Sequence, residues 1–229
     1  MSDGISEPFR GERRRRLLSL SATVGVILIA IVVAANFGMY RLDRAMDRSE
    51  TKVTQLVKLA ENARVAQVTF KTQVQEWKNT LLRGYRDEDY AAYHGAFLAR
   101  RAEVQDQLAA LELEARAVGF PTDGLSALKA QHSDLGKAYD AALQYFKADD
   151  PLSVRIVDAH VRGRDRPVNE AFDRFVREVR LFTEQRRAVL VQNVADAAAQ
   201  IRLTLWIALA VGFVAFSFAV FAALRVIRA

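Results

Sequence analysis

Three sets of side chains in this sequence have types and spacing suited to chemistry. His132 and Tyr139 are seven residues apart, which on a helix places both on one face. Gln73 and Trp77 are four apart and share a face for the same reason. Arg162, Arg164 and Arg166 crowd around Gly163. An imidazole, a phenol, an amide and an indole can form a polar layer or line a pocket between helices. Arginines near a helix start favour anions and pair bidentately with carboxylates. The candidate ligand-binding residues are therefore Gln73, Trp77, His132, Tyr139, Arg162 and Arg166, and the chemistry they fit is a small acidic ligand. Arg64 and Arg83 are weaker candidates of the same kind.

Each candidate also has a plainer reading. Trp77 lies seven residues from Phe70 and four from Leu81, the position of a core aromatic. His132 falls on an apolar seam, where a histidine is usually hydrogen-bonded inside the core, here to Gln73 or Tyr139. The arginines read as solvated, or Arg166 as paired with Asp165. One histidine is thin for a metal site, which usually takes three or four ligands, and His94 and His160 have no His-x3-His partner, so no metal or haem cofactor is expected. Catalysis is not expected either. The sequence has no cysteine, no Gly-rich phosphate loop, no Gly-x-Ser-x-Gly and no His-Glu-x-x-His.

The elements that must position these residues begin with two uncharged runs. Residues 17–40 read LLSLSATVGVILIAIVVAANFGMY and residues 203–224 read LTLWIALAVGFVAFSFAVFAAL. A bilayer core of roughly 30 Å needs about 20 apolar residues in a helix, so both are expected to span a membrane. The first is longer than a secretory signal core and continues as an amphipathic helix, which favours a retained anchor over a cleaved signal. Residues 41–202 carry 26 Lys/Arg against 24 Asp/Glu, nearly balanced, while most of the basic excess sits at the ends. Arg10 and Arg13 to Arg16 precede the first run, and Arg225 and Arg228 follow the second. Basic residues beside a span stay cytoplasmic. The expected order is a basic cytoplasmic tail over 1–16, a span over 17–40, an outer domain over 41–202, a span over 203–224 and a short cytoplasmic tail over 225–229. No basic stripe with interleaved aromatics suggests nucleic acid.

Helical spacing dominates the outer segment. Helix one runs out of the first span to about Arg83, facing inward with Val53, Leu56, Ala60, Ala63, Phe70, Val74, Trp77 and Leu81, and Gly84 stops it as a C′ glycine. Helix two covers about Glu88 to Val118. Helix three carries Leu125, Leu128, His132, Leu135, Tyr139, Ala142 and Phe146 at 3-4 spacing. Asp150-Pro151 starts a short helix to about Val161. After a break at 162–166, which Asp165 is expected to cap, helix four starts near Pro167 and runs into the second span, with Phe172, Phe175, Val179, Phe182, Val189 and Ile201 facing in. Short connections make such helices up-and-down neighbours. The fold expected is all-α, an antiparallel four-helix bundle continuous with two transmembrane helices.

Three pieces of this plan resemble a known pattern: AQVTFKTQVQEWKNTLLRG at 66–84, QHSDLGKAYDAAL at 131–143 and VRGRDRP at 161–167. In this order they resemble the N-terminal transmembrane and periplasmic sensor half of a bacterial methyl-accepting chemotaxis protein. Arg164 departs from that pattern, which has an apolar residue there. The resemblance implies a periplasmic bundle in the inner membrane, a homodimer, other signalling proteins as partners, and a signal relayed by small helix displacements. It also gives the expectation of an input module that lacks its own output domain, since the chain ends at Ala229. The alternative is a stand-alone inner-membrane adaptor or scaffold with no small-molecule ligand.

Overall fold

The computed structural model describes residues 7–228. Residues 1–6 and 229 of the expected tails lie outside the described residues, as do the side chains of Arg10, Arg13, Arg14, Arg16 and Arg228. The described chain is helical, with no strand among the described residues. Its elements are α1 (Glu7–Arg83), α2 (Asp87–Val118), α3 (Asp123–Leu143), α4 (Pro151–Val161) and α5 (Asp165–Arg228). They form two compact units, one of residues 1–50 with 190–229 and the other of residues 51–189.

The second unit holds the aromatic core. Phe70 of α1 stacks on Phe172 of α5, with ring centroids 5.1 Å apart. Phe120, in the α2–α3 turn, packs edge-on against both Phe175 and Phe182 of α5. Leu59, Ala63, Phe97, Val104, Leu108, Leu125 and Val157 complete it, all fully buried. The helix boundaries have local causes. Asp150 accepts a hydrogen bond from the Leu152 N–H at 2.9 Å and caps α4, whose first residue is Pro151. Acidic Asp87, Glu88 and Asp89 occupy the first turn of α2, where the helix dipole favours them.

The structure corrects several boundaries. Gly84 does end α1, but it is not among the left-handed glycines, which are Gly119 and Gly163 among the described residues. It is required by close approach instead, because a Cβ there would fall 2.4 Å from the Thr80 carbonyl oxygen. Asp165 is the first residue of α5 rather than its cap. Phe146 lies beyond the end of α3, although it packs against the core. Val189 is exposed and Val53 only half-buried, because the helical period continues past the point where the core has partners to offer.

The first unit is different in kind. Its two helical segments contain windows of mean hydropathy 2.3 and 2.5 with none of either window buried, long and apolar enough to cross a membrane. Within this unit α1 and α5 approach at two glycines. A Cβ on Gly38 would lie 3.1 Å from Ile201 Cγ2, and one on Gly212 would lie 2.7 Å from Ile31 Cδ1. Small residues permit this closeness where packing rather than water drives helices together.

Candidate functional site

The 3-4 spacing of α3 carries His132 inward with Leu125, Leu128, Leu135 and Tyr139, and all five are buried. A histidine with no exposed surface needs partners for both ring nitrogens. It finds them on two other helices. Gln105 of α2 donates from Nε2 to His132 Nδ1 at 2.5 Å. His132 Nε2–H donates to Gln73 Oε1 of α1 at 2.7 Å. A neutral ring with its proton on Nε2 satisfies both contacts. Burial, and secondarily the Arg101 guanidinium, push the His132 pKa down to about 4, so the ring is neutral near pH 7.

One turn along α1 from Gln73, Trp77 stacks on Tyr139 with centroids 4.2 Å apart. Phe97 of α2 closes against both rings. Burial, and then Asp165, raise the Tyr139 phenol above its ordinary pKa. The four central candidates thus form two adjacent layers: Gln73 with His132, and Trp77 with Tyr139. The second layer is filled by its own rings.

The arginine candidates do not join these layers. Arg162 is exposed and pairs with Asp158 one turn back on α4, its Nε donating at 2.8 Å. Arg166 is exposed as well. Neither has a hydrogen bond or ion pair with Gln73, Trp77, His132 or Tyr139.

What lies beside His132 is a groove of about 260 Å³ between α2 and α3, lined by Arg101, Gln105, His132, Ser133, Gly136, Lys137 and Asp140. Of these, only His132 stands out in the sequence as a candidate. Arg101 crosses the groove and donates from Nη1 to Asp140 Oδ1 at 2.6 Å. Gly136 leaves room for the crossing, since a Cβ there would sit 3.3 Å from Arg101 Cδ, tighter than ordinary contact. A glycine inside an otherwise regular helix signals such close approach. Arg101 also lies over the Phe97 ring, 5.6 Å from its centroid. The arrangement offers cationic and neutral hydrogen-bond donors to a small solute, with a neutral imidazole as part of its wall.

No protein-family model matches the chain, and no solved structure matches it. Among characterised proteins it is similar to the methyl-accepting chemotaxis protein CtpH of Pseudomonas aeruginosa, with 39% identity over 103 residues. The matched stretch covers 44% of this chain and 17% of that protein, so the chain spans about a sixth of its relative's length. That similarity lies in a chain whose two longest helices are apolar enough to span a membrane.

Proposed function

We propose that this chain is a membrane sensory input module of the chemoreceptor kind, which detects a signal outside the cytoplasm and relays it by small helix displacements. The observation that carries this reading is the 39% identity over 103 residues to a methyl-accepting chemotaxis protein. On this reading residues 17–40 and 203–224 span the inner membrane, both termini are cytoplasmic, and residues 41–202 form a periplasmic antiparallel four-helix bundle. Contacts along the helices support the bundle. As numbers rise along α1 through Leu56, Gln67 and Phe70, the partners on α5 fall through Thr183, Asp173 and Phe172. The partners on α2 fall in the same way, from Glu114 at Asn62 to Phe97 at Trp77. Short connections between long helices favour that arrangement. Balanced charge over 41–202 and basic residues beside both apolar runs support the topology. A homodimer of such modules acts by binding, not turnover. Gln73 and His132 are the candidate residues placed to respond to a ligand.

A signal moves such a module only if it binds two conformations unequally. The test is a fusion of residues 1–224 to the output half of a methyl-accepting chemotaxis protein, with kinase activity read against amino acids and organic acids. A reproducible, stimulus-dependent change is expected. A fusion that reaches the membrane yet holds kinase activity constant through the panel would sink the sensory reading and favour an adaptor.

A further inference from the structure

We propose that the α2–α3 groove binds a small carboxylate, and that the Gln105–His132–Gln73 chain reports its occupancy to α1 by reversing the direction of its hydrogen bonds. This deepens the sensory reading and rests on it.

The groove has the chemistry for a carboxylate. Among its lining side chains Arg101 and Lys137 are cations and Asp140 is an anion, leaving one net positive charge. Arg101 is held in place by three features: the bond to Asp140, the Phe97 ring beneath its guanidinium, and the bare backbone of Gly136 against its stem. Asp140 takes one of its five donors, and the planar fork remains for a second carboxylate. Lys137 forms an exposed pair with Asp134 at 2.9 Å, a type of contact that constrains little. Ser133 adds a hydroxyl.

The hydrogen-bond chain behind the groove has two permissible directions. In the direction described, the Gln105 NH2 faces the ring, and the carbonyl half of that amide is the half not used on the ring. With the groove empty, that oxygen suits a wall shared with Arg101 and Lys137. A bound carboxylate cancels this preference, because two acceptors then face each other. Turning the Gln105 amide over gives its N–H groups to the carboxylate and its oxygen to His132 Nδ1. The ring then carries its proton on Nδ1: one proton leaves Nε2, one arrives on Nδ1 by exchange with water, and the charge is unchanged. Nε2 becomes an acceptor, and Gln73 turns over to donate to it.

The far end of the chain makes this reversal affordable. Gln73 is fully buried, and its Nε2 has no hydrogen-bond partner in the direction described. An orphaned buried N–H is less tolerated than an under-used carbonyl oxygen. Reversal supplies that N–H with a partner and leaves the oxygen as the under-used atom. The two directions therefore differ at both ends, by the groove's charge at one and by a buried amide on α1 at the other. That is a discrete two-state element which a ligand can bias.

The test uses the full chain in lipid nanodiscs, with 15N in the rings of its three histidines. Acetate, lactate and succinate are each titrated at constant ionic strength against chloride. Ring nitrogen shifts separate the two tautomers, and His94→Gln and His160→Gln assign the signals. We expect at least one carboxylate to move the His132 proton from Nε2 to Nδ1 saturably while the other two rings stay unchanged. Arg101→Gln should weaken that titration at least tenfold at an unaltered melting temperature, and Arg101→Lys should recover part of the loss, since charge returns without the fork. The proposal is overturned if no probe titrates saturably, if binding leaves the proton on Nε2, or if Arg101→Gln titrates like the parent chain. The receptor fusion reads the sensory role without reference to this groove, so a responsive fusion beside a silent His132 would overturn the relay alone.

Discussion

The indole of Trp77 lies over the ring of Tyr139 with its plane 21° from parallel, and Phe97 meets both rings. Three helices are joined at this one layer. Trp77→Ala would leave a cavity that the fixed Tyr139 and Phe97 rings cannot fill, at a cost of about 3–5 kcal/mol. Trp77→Phe keeps a ring and should cost about 1–2 kcal/mol, the lost area and part of the stacking. Chemical denaturation followed by circular dichroism checks both. Equal stability of the alanine variant and the parent would mean that the layer is not what holds these helices.

His132 makes stability depend on pH in a defined window. Its pKa is about 4 in the folded chain, against 6.5 for the free side chain. Above pH 6.5 the ring is neutral in both states and adds no pH dependence. Below 6.5 the unfolded chain takes up a proton that the folded chain refuses. Stability therefore falls as pH drops from 6.5 to about 4, by about 3 kcal/mol in all. His94 is also lowered, chiefly by burial, and acts in the same direction. Comparison with His132→Gln cancels that contribution and isolates His132. Between pH 7 and 4.5 the difference in stability between parent and variant should shift in favour of the variant. Parallel pH profiles would contradict the buried, neutral ring.

Much of the fold was legible because helical period and end signals are local. Leu125, Leu128, His132, Leu135, Tyr139 and Ala142 are buried at the spacing the sequence shows, and Asp150-Pro151 caps and opens α4. The bond from His132 to Gln73 was one of two partners foreseen. The groove was not legible. Arg101 and Asp140 are 39 residues apart, and Gln105 and His132 are 27 apart, and which of them meet depends on how α2 and α3 are rotated against each other. Gly136 was the one local hint, a glycine within α3 that no turn explains. The arginines at 162–166 stand out in the sequence as charge density at a helix break, and in the structure Arg162 pairs with Asp158, one turn back on α4.

Gly119 ends α2 with φ 74° and ψ 29°, and the following Phe120 N–H reaches back to the Ala115 carbonyl at 2.8 Å. No atom lies within 4 Å of where its Cβ would be. The whole cost of Gly119→Ala is therefore backbone strain in the left-handed region, about 1–2 kcal/mol. Gly119→Asn should cost less, since asparagine tolerates that region. If both variants melt with the parent chain, the turn does not require its left-handed residue.

The close approach at Gly38 can be tested directly, because the chain has no cysteine of its own. A Cβ at position 38 would lie 3.1 Å from Ile201 Cγ2 and 3.9 Å from its Cγ1, an approach close enough to test against the roughly 3.5–4.5 Å between β-carbons that a disulfide needs. The double variant Gly38→Cys, Ile201→Cys should therefore cross-link under mild oxidation in membranes. A protease site inserted in the α2–α3 turn reads the result, since the two fragments stay joined on a non-reducing gel only if the bond has formed within one chain. Ile29 and Leu203 are both well exposed, at 65% and 62%, and the corresponding cysteine pair is the control that should remain separate. Fragments that separate equally in both variants would mean that α1 and α5 do not pack at Gly38. A band at twice the chain's mass would place Gly38 against a second copy instead.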